Sequence, residues 1–240
     1  MEENRWQRSE IVLGKKAIEA LQKKHVVVCG IGGVGSYALE ALARSGIGTI
    51  TLIDKDEVDI TNCNRQLIAL QSTIGKDKVQ VAKDRIQNIN PNICVKIYKE
   101  EITAENIATL LQNKTIDYVV DAVDNIEAKV AIIAYCYHHH IDCISCMGMG
   151  NKCNTLDIKV ADIYQTTMCP LAKIMRKRLK ELQIPHQKVV YSTECPKTRT
   201  EAQKAEYGNT LGSLPFVPSV GGLIMASCVV QDLIEKIEKK

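Results

Sequence analysis

The 240-residue sequence holds no run of roughly 18 uncharged apolar residues, the length that a membrane-crossing helix needs. Its opening, MEENRWQRSE, is polar and charged and has none of the apolar centre that a secretory leader requires. Charge of one sign is also missing. Thirty-one Lys and Arg stand against 28 Asp and Glu, a net of +3, too small to establish a nucleic-acid partner and not enough to exclude one. No internal repeat, no low-complexity tract and no GxxxxGK[ST] phosphate loop occurs, so a kinase-type nucleotide site is excluded. Zinc ribbons need two Cys-x-x-Cys pairs, and the sequence has one, Cys143 to Cys146.

What remains is an ordinary globular composition, 45% hydrophobic and 25% charged. The length suits one large domain, read here as residues 1–240, with a nucleotide-binding core at 25–150 and a substrate-side, C-terminal extension at 151–240. With no leader expected, the ten cysteines are expected to stay free in a reducing cytoplasm.

The first half alternates strands and helices. Strands are expected at His25–Cys29, Thr49–Ile53, 93–98, Tyr118–Asp121 and 141–147, because each is short, β-branched and bounded by turn residues. Helices are expected at 36–45, 76–90 and Ile126–His138, the first ended by glycine and the second by Pro91. That order predicts an α/β, Rossmann-like, doubly wound and mostly parallel sheet with helices on both faces. The second half is less regular. It reads as strands at 155–160 and Lys188–Ser192, a basic helix at 170–182, a polar mobile loop at 194–209 and a final apolar helix at 221–237. Gln231 and Asp232, with its length, mark that last helix as packed on the sheet rather than membrane-spanning.

The strongest chemical signal is Gly30-Ile31-Gly32-Gly33-Val34-Gly35, placed between a strand and a helix. Glycines there let backbone approach a phosphate at a helix N-terminus. Asp54 ends the next strand, where an acid can hold ribose hydroxyls. On its own the motif suggests a nicotinamide-dependent oxidoreductase. The following Asn62, Arg65 and Lys78 argue otherwise, since hydride transfer needs no cationic cluster whereas carboxylate attack on a nucleoside triphosphate does. Asp121 and Asp124, at the end of another strand, are placed to hold Mg²⁺ on phosphates.

Arg5-Trp6-Gln7-Arg8, GIGGVGS at 30–36, LIDKDEVDITNCNRQ at 52–66, Lys78 and VVDAVDN at 119–125 together resemble the adenylate-forming, ubiquitin-activating-like family. ALARSGIGTITLID at 41–54, INPN at 89–92, VVYSTE at 189–194 and GSLPFVPSVGGLIMAS at 212–227 are similar to its branch that dehydrates threonylcarbamoyladenosine in tRNA. The resemblance implies ATP and Mg²⁺ as cofactors. Gly30, Gly32, Gly33 and Gly35 would form the phosphate loop, Asp54 would bind ribose, and Asn62, Arg65 and Lys78 would surround the triphosphate. Asp124 would hold the metal, with Asp121 as its neighbour. Arg8 matches an arginine that reaches the partner's nucleotide in family dimers, so a homodimer is implied. Further implied partners are the tRNA anticodon loop carrying the modified adenosine at position 37 and a sulfur-transfer accessory protein. The rival within the family is adenylation of the C-terminal glycine of a ubiquitin-like sulfur carrier. The missing second Cys-x-x-Cys pair and the basic stretch at 173–180, with Lys188, Lys197, Arg199 and Lys204 after it, favour tRNA, and no zinc is expected. Cys195 is read as an exposed surface thiol, and His138–140 as a helix end rather than a metal site.

Overall fold

The computed structural model describes residues 4–112, 115–198, 200–208 and 210–238. In chain order, helices α1 (Gln7–Leu13) and α2 (Lys15–Leu21) precede strand β1 (His25–Cys29). Helix α3 (Gly35–Arg44), strand β2 (Thr49–Ile53), helix α4 (Lys78–Ile89) and strand β3 (Cys94–Tyr98) follow. Then come α5 (Ile107–Leu111), β4 (Tyr118–Asp121), α6 (Ile126–His138) and β5 (Asp142–Cys146). The second half adds β6 (Ile158–Asp162), α7 (Pro170–Glu181), β7 (Lys188–Ser192), α8 (Glu201–Tyr207) and α9 (Phe216–Glu238). The seven strands form one sheet in the order β3-β2-β1-β4-β5-β7-β6, parallel except for β6, which runs antiparallel to β7.

The central strands read as continuous apolar runs because both faces are covered. Along β1, Val26 and Val28 enter one core, with Leu39 and Leu42 of α3 and Met225 and Val229 of α9. Val27 and Cys29 point the other way, into a second core with Leu110 and Leu111 of α5 and Ile132 and Cys136 of α6. A third cluster joins α6, α7 and β7 through Ile133, Met175, Leu179 and Val189. Helix α9 is long and apolar enough to cross a bilayer, but half of its most apolar window is buried inside the protein. Its Asp232 accepts hydrogen bonds from Tyr118 Oη and Lys188 Nζ, which ties it to the sheet.

Four expectations need correction. The strand expected at 155–160 begins at Ile158, because the Asn154 side chain accepts from the Leu156 N–H and turns Thr155–Asp157 into a 3₁₀ turn. The segment 194–209, read as a loop, contains α8. A reciprocal capping box between Thr200 and Gln203 starts that helix. It buries no side chain, so no apolar periodicity announces it. The final helix starts at Phe216, five residues earlier than expected, with Pro218 tolerated in its first turn. Helices α1, α2 and α5 were not anticipated; each is only five to seven residues long.

Candidate active site

Strand order reverses between β1 and β4, so the crevice beyond their carboxyl ends is where such a sheet takes a ligand. A cleft of about 450 Å³ opens there. Gly30, Gly32 and Gly33 form one wall. Gly30 has φ +84°, and a Cβ on it would lie 2.8 Å from the Ala122 carbonyl oxygen. A Cβ on Gly35 would sit 1.8 Å from the Gly30 carbonyl oxygen. The loop therefore folds onto itself and onto the β4–α6 turn, with Gly35 behind it rather than in the cleft. It delivers the N-terminus of α3, the positive end of the helix dipole, to the cavity.

Asp54, at the end of β2, accepts from the Ile31 N–H at 2.6 Å and the Asp56 N–H at 2.9 Å, which joins β2 to the glycine loop. Burial pushes its carboxyl above the ordinary value of 3.8, opposed by Lys78 and those two N–H groups. Beyond it, Asp59 and Asn62 close a capping box around the 3₁₀ turn Ile60–Asn62. Arg65 Nη1 donates to the Thr61 carbonyl at 2.8 Å and to Asn64 Oδ1 at 2.9 Å, so its guanidinium is held at the cleft by its own turn. Lys78, 4% exposed at the start of α4, donates to Asp56 Oδ2 at 2.8 Å. Asp124 and Asn125 line the opposite wall, and Asn125 caps α6 by accepting from the Ala128 N–H. Ile53, Ile102, Val123 and Ala128 supply an apolar flank suited to a flat base.

Of the predicted residues, Gly30, Gly32, Gly33, Asp54, Asn62, Arg65, Lys78 and Asp124 line this cleft. Asp121 does not. It is fully buried, and it accepts from Lys129 Nζ at 2.8 Å and from the Ser145 hydroxyl. Burial raises its carboxyl, with Lys129 opposing. Asp121 is thus part of the floor beneath the cleft. Arg8 is exposed on α1, whose neighbour Trp6 packs by Gly46 before β2. That is the end of the sheet opposite the cleft, so within one chain Arg8 does not reach it. Residues that sequence reasoning missed also face the cavity: Asp56, Gln66, Glu101 and the wall Leu211–Gly212–Ser213 with Pro218. That wall is fastened by Asn64 Nδ2 donating to the Ser213 carbonyl and by Asn151, whose Oδ1 accepts from the Gly212 N–H. The conspicuous signal for it was the GSLPFVPS run itself.

Asp124 and Asp56 are hard oxygen donors on the cleft, as a magnesium ion on phosphates would require. No cluster of three or more His, Cys, Asp or Glu side chains suited to a metal occurs among the described residues, so phosphate oxygens and water would complete its shell. Cys143 is half-buried and Cys146 buried in β5, and burial pushes the Cys146 thiol up to about 12. Cys195 is exposed. His139 Nδ1 donates to the Tyr135 carbonyl at 2.8 Å, and its ring stacks on the Tyr135 ring, as a helix-end residue does.

The basic stretch divides once folded. Arg176 donates to Thr166, and Arg178 pairs with Glu127, so both are engaged internally. Lys188 is bound to Asp232 and Lys204 to Glu201. Lys173, Lys177 and Lys180 lie on the outer face of α7 around exposed Ile174, with Lys177 4.0 Å from Glu181. Arg199 lies outside the described residues.

The ThiF family profile matches residues 6–240. The chain belongs to the ThiF family. It is 42% identical to the tRNA threonylcarbamoyladenosine dehydratase of Bacillus subtilis, over 99% of this chain and 97% of that protein. The enzyme of the same name from Haemophilus influenzae is 37% identical, over 92% and 89%. The crystal structure of the Escherichia coli tRNA N6-threonylcarbamoyladenosine dehydratase in complex with AMP superimposes with a TM-score of 0.90 at 33% identity, covering 98% of this chain and 96% of that one. Its ATP complex gives 0.89 at 34% identity, with the same coverage. The molybdopterin-synthase adenylyltransferase of Salmonella typhimurium is 33% identical, but over only 53% of this chain and 50% of that protein.

Proposed function

We propose that the chain is an ATP-dependent dehydratase of N6-threonylcarbamoyladenosine at position 37 of tRNA. The observation that carries this reading is the full-length likeness, in sequence and fold, to dehydratases solved with ATP and AMP, joined to a cleft that holds a glycine loop, Arg65, Lys78 and Asp124. Likeness to a carrier adenylyltransferase is confined to about half the chain, so carrier activation is the weaker reading.

The substrate's threonine carboxylate is a poor electrophile. Its oxygen attacks the α-phosphorus of ATP, the bond to the bridging oxygen breaks, and pyrophosphate leaves. Asp54 holds the ribose, and the α3 N-terminus and Arg65 receive phosphate oxygens and stabilise their negative charge. Lys78 exchanges its Asp56 partner for phosphate as ligand enters. Asp124 would hold magnesium, which when bound neutralises phosphate charge, and Asp56 lines the same cleft. The carbamoyl group then attacks the acyl carbon, AMP departs, and one proton is lost, so the net change is removal of one water. That nucleophile is tethered to its target, which makes the ring closure effectively unimolecular. Lys173, Lys177 and Lys180 would contact the RNA backbone, which is bound largely through phosphates. Arg8 would act on the nucleotide of a second copy in a homodimer. An accessory sulfur-transfer protein is a further proposed partner. Cytoplasmic action is part of the same proposal.

The test is nucleoside mass analysis of tRNA carrying threonylcarbamoyladenosine after incubation with protein and Mg-ATP. Loss of one water that requires ATP and disappears in Arg65→Ala is expected. No mass change, with ATP–pyrophosphate exchange driven by a sulfur-carrier protein instead, would move the assignment to carrier activation.

A further inference from the structure

Gln66 follows Arg65 on the cleft wall and is 6% exposed. Its backbone is engaged, the N–H donating to the Asn62 carbonyl at 2.9 Å. Its side-chain oxygen is not. Oε1 is sealed from solvent and has no hydrogen-bond partner among the described residues. Nε2 lies toward Gly32, 3.9 Å from where a Cβ on that residue would be. Leaving a buried amide oxygen unpaired is unfavourable, and such groups in folded proteins call for an explanation. An apolar side chain of the same size would remove that penalty. The explanation is in the surroundings of the other end. The amide nitrogen faces the glycine loop, on the cleft wall that also carries Arg65.

We propose that Gln66 is a ligand-contacting residue of the nucleotide site, its Nε2 donating to a phosphate oxygen of the bound triphosphate. This rests on the reading of the cleft as an ATP site. The amide adds a neutral donor to the cationic pair Arg65 and Lys78, and so adds direction without adding charge. The unliganded protein then carries a stability penalty that is kept because the nitrogen is needed in the cleft.

The test compares the wild-type protein with Gln66→Met and Gln66→Glu, by calorimetric titration with ATP and with adenosine and by thermal melts with and without ATP. Gln66→Met is expected to weaken ATP binding roughly ten- to hundredfold, the range for loss of a hydrogen bond to a charged group. It should leave adenosine binding unchanged and leave the ligand-free melting temperature equal or higher. Gln66→Glu, of the same shape but anionic, is expected to lose more ATP affinity than Gln66→Met. ATP affinity within twofold of wild type in Gln66→Met overturns the proposal, as does an equal loss toward ATP and adenosine. A ligand-free melting temperature that falls sharply assigns Gln66 a packing role and also overturns it. Wild-type protein that binds no ATP sinks the underlying reading of the cleft instead.

Discussion

Gly35→Ala is the most discriminating perturbation of the phosphate loop. A Cβ at this position would lie 1.8 Å from the Gly30 carbonyl oxygen and 3.2 Å from Ala122 Cβ, whereas real Cβ contacts stay beyond 3.0 Å. Backbone must therefore move by roughly 1.2 Å, the gap between those two distances, and no flexible side chain is there to give way. Overpacking of this kind costs about 1–3 kcal/mol, and a backbone clash belongs at the upper end. For a chain of this size about 3 kcal/mol lowers the melting temperature by roughly 6–12 °C. The moved atoms belong to the loop proposed to hold the phosphates. Losing one hydrogen bond to a charged group weakens ATP roughly ten- to hundredfold.

Gly48→Ala is the matched control. Its Cβ would lie 1.7 Å from the Gln22 carbonyl oxygen, an equal insult, but at the start of β2 and the far end of the sheet from the cleft. Both variants are expected to melt early, and only Gly35→Ala is expected to lose ATP affinity when titrated calorimetrically well below its melting temperature. Equal ATP affinity in the two variants, or a Gly35→Ala protein that melts like wild type, would refute the reasoning that the loop's shape sets the phosphate site.

Four other outcomes are expected. Lys129→Met should be destabilised by about 3–5 kcal/mol in denaturant titration, because it strands the fully buried Asp121 carboxylate, and adding Asp121→Leu should restore part of that loss. Burial favours the neutral Glu40 carboxyl, but hydrogen bonds from Arg85 and Arg44 outweigh it and hold the group below its ordinary 4.5. The stability from Glu40 is then fully present above that value and drains away as pH falls through the lower folded value. Glu40→Gln should accordingly lower the melting temperature at neutral pH and merge with wild type in acid. Cys63, Cys94, Cys153 and Cys195 are exposed and should react with a thiol reagent in the native protein, while Cys29, Cys136, Cys146 and Cys169 should react only on unfolding, as counted by absorbance. Mixing inactive Arg8→Ala with inactive Arg65→Ala should recover about a quarter of wild-type activity if each site of a homodimer draws on both copies, and none if it does not.

The parts of the fold legible in the sequence were those where burial and periodicity coincide. Strands β1, β2, β4 and β7 are short β-branched runs sealed on both faces, or nearly so, and their bounds follow from composition alone. Helix α8 was hidden for the opposite reason: it is held by a capping box and local hydrogen bonds, with no buried side chain to impose a 3.6-residue pattern. The start of β6 was missed because a 3₁₀ turn begun by one asparagine side chain decides it.

The cleft was legible to the same extent and for a related reason. Glycines, acids and cations announce chemistry by type, and the spacing from Gly30 to Lys78 placed them at successive strand ends. Type does not announce direction. Asp121 and Asp124 are three residues apart and chemically alike, yet the first ends β4 pointing into Lys129 and Ser145 while the second lies past the strand, in the turn that opens on the cavity. Gln66 is the converse case. A glutamine carries no charge and no metal-binding signal, so although Gln66 closes the 52–66 motif its residue type assigns it no role. Only the fold shows that its oxygen is sealed without a partner. The proposed role of Gln66 rests on that incompletely satisfied side chain in the cleft wall. That is a property of the assembled site and is never encoded in the residue's own type.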